Sequence, residues 1–250
     1  MFNLEAAVGN GKVVQDSESE DCVNLPFLTA VSRFNGFFIS FLLCCSPIAV
    51  HSKTDFQIWN ANVLSGSLNK QVDLLANIEF RYRDDGTTFY YNHEHFELPI
   101  HICSFIDLGP SYRQIFRLNA GTTNQWSTFY VPNLNLTFFW NVHDFYFSDR
   151  SRISYIMAQA AFPDIWQYRN RLSVYKIIKQ GPRQIRLFAE DEIFFAQQTN
   201  GVFENRTSIG LNFFLFKKIK LDIGYRFRIV KQIDGWEHNN ILLLNTYASF

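Results

Sequence analysis

Residues 72–83 have the sequence VDLLANIEFRYR, and this stretch decides the class of the fold. Apolar side chains occupy every second position, beginning with Val72, and the positions between them are mostly polar or charged, beginning with Asp73. Successive side chains of a β-strand point to opposite faces, whereas a helix would scatter both sets around its circumference. The same alternation returns at 206–213 and 221–230, which predicts an all-β fold.

Eleven alternating segments follow one another, and no helical period of similar strength interrupts them. They cover residues 55–67, 71–84, 88–99, 105–118, 125–143, 147–158, 166–177, 183–195, 203–215, 219–231 and 238–250. Strands joined by short turns, such as Asn200-Gly201, predict a closed antiparallel, up-and-down barrel. Single-chain bacterial barrels have an even number of strands, so we expect about 12, with 10 as the second choice. Either 125–143 contains two strands around Pro132, or one terminal segment lies outside the wall.

The first 52 residues precede this pattern and differ from it. Residues 37–45 form an uninterrupted apolar run behind a basic residue. The run is too short to span a bilayer as a helix, but it matches the core of a secretory signal peptide. We expect cleavage after Ser52, so that 1–52 are an N-terminal extension and signal peptide and 53–250 form the β-barrel domain. Translation starting at Val31 would explain the acidic residues before the signal.

Alternation alone does not say whether the apolar face meets a protein core or lipid. Three features favour lipid: the export signal, strands of 11–14 residues where about 9–11 suffice to cross a bilayer, and an aromatic C-terminal residue, Phe250. Unpaired backbone groups are costly in hydrocarbon, so such a sheet must close into a barrel. Five tryptophans lie near predicted strand ends, as interfacial girdles require: Trp59, Trp126, Trp140, Trp166 and Trp236.

The interpretation is therefore a transmembrane β-barrel in the outer membrane of a Gram-negative bacterium. Its expected partners are outer-membrane lipid and the barrel-assembly machinery, which would read the C-terminal strand ending in Phe250. The sequence makes no prediction of the oligomeric state.

The charged faces of the predicted strands would line the lumen. Their charged side chains are Glu79, Arg81, Arg83, Arg113, Arg117, Arg150, Arg152, Arg169, Arg171, Arg186, Glu190, Glu192, Arg206, Arg226 and Arg228. Three glutamates cannot neutralise so many arginines. Two interpretations stay open: an Arg/Glu/Tyr network that props the lumen, or a small porin-like pore whose cationic lumen draws anionic solutes.

Other classes of function find little support. The 23 basic and 23 acidic side chains balance, which argues against a nucleic-acid binder. Three of the four cysteines fall in the first 45 residues, so Cys103 has no partner for an internal disulfide. No Cys/His spacing suggests a metal ligand set, and we predict neither a metal site nor a cofactor.

Some outer-membrane barrels are lipid hydrolases that use a serine and a histidine. The candidate side chains here are His93, His95, His143 and His238, with Ser151, Ser154 and Ser208. His93 and His95 share a predicted face with Phe89 and Tyr91, which suits pore-lining histidines as well as a catalytic base. No G-x-S-x-G motif is present. A lipid hydrolase and a structural or adhesive barrel remain alternatives to the pore, and no catalytic residue is predicted.

Several short motifs, in this order along the mature chain, resemble the bacterial family known as domain of unknown function 2490 (DUF2490). They are DFQIW at 55–59, SDRSR at 148–152, YRNRL at 168–172, EDEIF at 190–194, NRTSIG at 205–210, Gly224-Tyr225 and His238-Asn239-Asn240. The resemblance implies an outer-membrane barrel, and it brings no established activity.

Overall fold

The computed structural model describes residues 54–119, 121–122, 124–158, 163–179, 184–199, 201–216, 218–232 and 235–250. Its strands are β1 (Thr54–Ser67), β2 (Asp73–Arg83), β3 (Thr88–Glu97), β4 (Ile100–Cys103), β5 (Ile106–Leu118), β6 (Trp126–Val142), β7 (Phe145–Ala158), β8 (Ile165–Lys179), β9 (Ile185–Ala196), β10 (Gly201–Phe216), β11 (Ile219–Gln232) and β12 (Gly235–Ser249). Within these ranges no helix is long and apolar enough to cross a membrane. The predicted signal peptide, its cleavage after Ser52 and the start at Val31 lie outside the described residues.

The predicted all-β barrel of about 12 strands is confirmed. Neighbouring strands pair in the order β3-β2-β1-β12-β11-β10-β9-β8-β7-β6-β5-β4, and β3 also pairs with β5, which closes the sheet. β4 pairs with the same neighbour as β3 and continues it beyond Leu98 and Pro99. Proline has no N–H to donate to a ladder. The wall therefore has 11 strand positions, one of them shared by β3 and β4.

Neither of the two explanations given above for the odd number of predicted strands is right. β6 is one continuous strand of 17 residues that includes Pro132, and its ladder with β5 runs through that proline. Both terminal strands lie in the wall, where β1 pairs with β12. The interruption is instead at Pro99, where the Asp73 N–H donates to the Pro99 carbonyl at 2.9 Å and so bridges the gap.

The first and last strands of the wall, β1 and β12, form a parallel pair, which we call the seam. β1 and β12 run parallel from Thr54 opposite His238 to Ser65 opposite Ser249, whereas all other strand pairs are antiparallel. With an odd number of alternating strand positions, the first and last strands point the same way, so their pairing must be parallel. The wall therefore begins at one rim, here the amino rim, and ends at the opposite one, the carboxyl rim.

The last residue of the chain belongs to the seam. The Phe250 N–H donates to the Ser65 carbonyl at 3.1 Å. A Cβ atom placed on Gly66 would lie 2.4–2.7 Å from three carbons of the Phe250 ring. Only glycine leaves room for the ring at this point of β1.

The two faces of the wall have opposite character. Large apolar side chains are exposed on the outside, among them Ile153 and Ile209, at 52% and 54%. The prediction of a tryptophan girdle is wrong for Trp59, which lies within β1, points inward and is 2% exposed. It forms a small buried cluster with Ile241 and Leu243. The other four tryptophans are exposed by 36–53%.

Candidate functional site: the barrel lumen

The inner face of the wall is lined by charged side chains. The strand register places all the predicted luminal residues on this face: Glu79, Arg81 and Arg83 on β2, Arg113 and Arg117 on β5, Arg150 and Arg152 on β7, Arg169 and Arg171 on β8, Arg186, Glu190 and Glu192 on β9, Arg206 on β10, and Arg226 and Arg228 on β11. Two groups of luminal side chains differ in how their charge is balanced.

The first group is paired and centres on Glu192 and Glu204. Glu192 lies 3.2 Å from Nε of Arg169 and 3.4 Å from Nη1 of Arg206. Glu204 accepts hydrogen bonds from Arg206 and, at 2.7 Å, from Nε of Arg228. Both glutamates are buried, at 4% and 5% exposure. Because buried charges are stable only with partners, these contacts tie β8, β9, β10 and β11 together inside the lumen.

An aromatic side chain extends this paired group towards β2. The guanidinium carbon of Arg81 lies 3.6 Å from the centre of the Trp59 ring, and those of Arg206 and Arg226 lie at 4.9 and 5.4 Å. Arg81 also lies 4.1 Å from the Tyr91 ring. Ring faces attract cations, and more strongly where water is excluded. Trp59 therefore adds an aromatic contact to three cations, each of which also has a carboxylate partner: Glu79 for Arg81, Glu204 for Arg206 and Glu190 for Arg226.

The second group has too few acceptors, and we call it the donor cluster. Its members are Arg113, Arg150, Arg152, His93 and His95. Buried nitrogens in all five lack a hydrogen-bond partner in the described part of the chain. Arg152 has Arg113, Arg150 and Arg169 among its charged neighbours. The carboxylate near it is that of Glu97, 3.5 Å from Arg152 Nη2 and 3.7 Å from His95 Nε2.

Two of the carboxylates that balance the lumen are absent from the sequence-based prediction. Glu97 and Glu204 both point inward and are buried. The sequence does indicate their inward position, because residues two apart in a strand share a face. Glu97 stands two residues after His95, and Glu204 stands two before Arg206. The count of three luminal glutamates is therefore too low, and the lumen is less cationic than the sequence predicts.

A β-bulge in β3 explains why Phe89 lies on the face opposite to the predicted one. Arg81 pairs with Tyr91 but the next residue, Tyr82, pairs with Phe89, so Tyr90 is an extra residue in β3. One inserted residue reverses the alternation. Phe89 consequently contacts the rings of Tyr82 and Trp126 at 5.4 and 5.3 Å, away from the histidines. The prediction that Phe89 shares a face with His93 and His95 is wrong.

The lumen is largely filled by packed side chains. The largest of the fully buried ones are Trp59, Arg152, Ile241, Asn135, Asn212, Asn239 and Ser173, all at 0–2% exposure. Other charged groups of the lumen are partly accessible to solvent, since the side chains of Arg83 and Arg171 are 30% and 29% exposed. The lumen thus combines packed polar and charged side chains with partly exposed arginines.

The hydrolase candidates do not come together. Ser151 faces outward and bonds the Tyr168 hydroxyl at 2.9 Å, whereas Ser154 donates to Asn133 and Ser208 accepts from Arg226. His143 lies in a turn with a positive φ of 51°, and His238 stacks on Phe227. Across the described ranges no hydrogen bond joins one of these serines to a histidine.

The carboxyl rim carries a separate polar cluster. His101 of β4 lies between two carboxylates, with Nε2 3.3 Å from Asp73 and Nδ1 2.8 Å from Asp107. The Ser67 hydroxyl donates to Asp73 at 2.7 Å. These contacts join the ends of β1, β2, β4 and β5. Over the residues described, no group of three or more His, Cys, Asp or Glu side chains is arranged to hold a metal ion.

Comparisons with known proteins bear on the family of this chain. The siderophore receptor PirA from Pseudomonas aeruginosa is 13% identical over 70% of this chain, with a TM-score of 0.27. The chain spans 34% of that receptor, and at this similarity the likeness carries no argument. No curated protein matches the chain. The family described as "Protein of unknown function (DUF2490)" matches residues 56–239. The predicted resemblance is confirmed, and the chain belongs to the DUF2490 family.

Proposed function

We propose that this protein is an outer-membrane β-barrel whose arginine-rich lumen binds small anionic solutes and lets them pass. The observation that carries the proposal is the donor cluster. Several buried guanidinium groups face the lumen with N–H groups that have no acceptor. Buried cations without partners are unfavourable, and a carboxylate, phosphate or sulfate group would supply the missing charge and hydrogen-bond acceptors.

The location rests on the physical chemistry of the wall. Apart from β4, the strands have 10–17 residues, and about 9–11 are needed to cross a bilayer. The outer face exposes many large apolar side chains, which suits lipid better than water. The predicted signal peptide agrees with insertion into the outer membrane.

Passage through the barrel requires the packed side chains of the lumen to rearrange. Arg152, a member of the donor cluster, is 2% exposed and lies against Glu97. An anion entering the lumen would compete with Glu97 for the guanidinium group. The donor cluster then acts as a filter that admits anions and keeps cations out.

Planar bilayers holding the purified protein test the proposal. In a salt gradient we expect conductance steps whose reversal potential is anion-selective. Changing both Arg113 and Arg150 to Gln should lower that selectivity, because both charges face the solute path. Lys231→Gln, at an exposed site at the end of β11, is the matched control and should leave it unchanged.

Three outcomes contradict the pore. Cation selectivity, or selectivity that the double variant leaves intact, removes the role of the donor cluster. Absence of conductance together with release of fatty acid from labelled phospholipid favours a lipid hydrolase. Absence of both favours a structural or adhesive barrel, for which the packing of side chains inside the lumen is the supporting observation.

A further inference from the structure

The motifs that place arginine inside the lumen also place polar side chains on its outside. In β7, β8, β9 and β10 the residues between the luminal charges point outward, because side chains alternate along a strand. Those residues are Asp149, Ser151, Asn170, Asp191, Asn205 and Thr207, and we call them the outer polar patch. Anion binding in the lumen would involve only the inward-facing residues of each motif, and the outward-facing residues have no role in it.

The patch spans four neighbouring strands as two hydrogen-bonded halves, one on β7 and β8 and one on β9 and β10. On β8, the Asn170 amide donates to Asp149 of β7 at 2.6 Å and lies 3.4 Å from the Ser151 hydroxyl. On β9, Asp191 accepts from the Thr207 hydroxyl at 2.9 Å and from the Asn205 amide at 3.2 Å. The pairing register sets Asn170 across from Ser151, and Asp191 across from Thr207.

Its position makes contact with lipid unfavourable. Ser151, Asn170, Asp191 and Thr207 each lie near the middle of their strand, far from either rim. At that depth the surroundings of a membrane barrel are hydrocarbon, where ionised and amide groups are poorly solvated. Internal hydrogen bonds satisfy only part of their capacity, since each carboxylate has about four acceptor positions. The patch therefore needs a polar surface opposite it.

We propose that a second copy of this chain covers the outer polar patch. All copies insert in one orientation, so a two-fold axis along the membrane normal brings the middle of one wall against the middle of the other. The patch complements itself in that arrangement, because the Asn205 amide has a second N–H and the Asn170 amide has only a long contact, 3.4 Å, with Ser151, so both can donate to the carboxylates of the other copy. Hydrogen bonds of this kind hold membrane-embedded segments together.

An apolar groove borders the patch and completes the interface. It has a volume of about 480 Å³ and is lined by Ile153, Trp166, Gln167, Tyr168, Phe195, Ala196 and Gln197. Trp166 and Ile153 are 53% and 52% exposed. A polar centre with exposed aromatic side chains beside it gives the second copy both hydrogen-bond partners and a concave surface to fill.

Cross-linking in membranes tests which surface is covered. Thr207→Cys in a cysteine-free chain, treated with a short bismaleimide in isolated membranes, should give a product of twice the monomer mass. Ile78→Cys on β2, outside the patch, is the matched control and should give none. Absence of the product at Thr207, or a product whose added mass is that of a different protein, overturns the proposal.

A second measurement uses the purified protein in mild detergent, with its mass determined by light scattering. We expect a dimer for the unchanged chain and a monomer when Asn170, Asp191 and Asn205 are all changed to Leu. Asn62→Leu, which removes another outward hydrogen bond, on β1, should leave the dimer intact. A monomer before any substitution, or a dimer that survives the triple change, contradicts the proposal. If the triple variant does not fold, the cross-link at Thr207 decides.

Discussion

Glu94 and Glu97 belong to the same strand but face opposite sides of the wall. Glu94 is exposed on the outside and pairs across the sheet with Gln114. Glu97 is 8% exposed and faces Arg152 and His95 in the lumen. Two glutamates of one strand therefore have different roles, because one lies among buried cations and the other does not.

We expect Glu97→Gln to lower the free energy of unfolding by about 3–5 kcal/mol, the usual cost of leaving one member of a buried ion pair without its partner. Urea unfolding of the barrel in lipid vesicles measures the change. Glu94→Gln is the matched control and should not lower it, because Glu94 points away from the buried arginines of the lumen. Equal effects of the two substitutions would show that Glu97 is not a partner of the buried arginines. Added phosphate should restore part of the loss in Glu97→Gln, because it can occupy the donor cluster.

At the scale of the element, the seam is the strand pair that the alternation of residues cannot predict. A parallel and an antiparallel closure use the same two strands, with the same outward and inward faces. They differ in which residues stand opposite each other. In the parallel register, Asn62 lies opposite Thr246, and Leu242 lies opposite Ile58.

A disulfide tests the seam. Asn62→Cys together with Thr246→Cys, in a cysteine-free chain, should form a disulfide readily on oxidation, because directly opposite residues fall within disulfide reach. The pair Asn62→Cys with Leu242→Cys is the control: its two sites are four residues out of register, about 13 Å apart along the strand, and should stay reduced. Gel migration with and without reductant reports the bond. Efficient bonding in the control pair alone would disprove the parallel register.

At the scale of the whole molecule, the odd number of strand positions separates the two ends of the wall. The turn at Asp84 lies beside the start of β1, where its N–H donates to Asp55 at 3.0 Å. The turn at Lys218 lies beside the end of β12, where its carbonyl accepts from the Ser249 N–H at 2.9 Å. One rim therefore holds the beginning of the barrel and the other its end.

An epitope placed just before Thr54 and one placed in the Lys218 turn should consequently be accessible from opposite sides of the membrane. Antibody labelling of intact cells, compared with permeabilised cells, measures this. A third epitope, in the Asp84 turn, is the control and should behave like the one before Thr54. If the epitopes before Thr54 and at Lys218 are labelled from the same side, the wall has an even number of strands.

The sequence by itself determined the strands and most of their faces. Alternation from Val72 to Arg83 is a local property, because the backbone of any strand turns successive side chains to opposite sides. The strand positions and most of the luminal charges, such as Arg81 and Arg152, follow from it. Prediction failed where one residue was inserted, at Tyr90, since a bulge leaves no clear mark in a single strand.

The tertiary structure alone decided how those strands and charges are paired. The parallel seam, the joining of β3 and β4 at Pro99 and the burial of Trp59 among arginines all depend on residues far apart in the chain. The same holds for the balance of charge in the lumen. Glu192 and Glu204 neutralise one group of arginines, whereas the donor cluster has too few hydrogen-bond acceptors. Electrostatic pairing depends on the distance between side chains across strands, and the register of the closed sheet sets that distance.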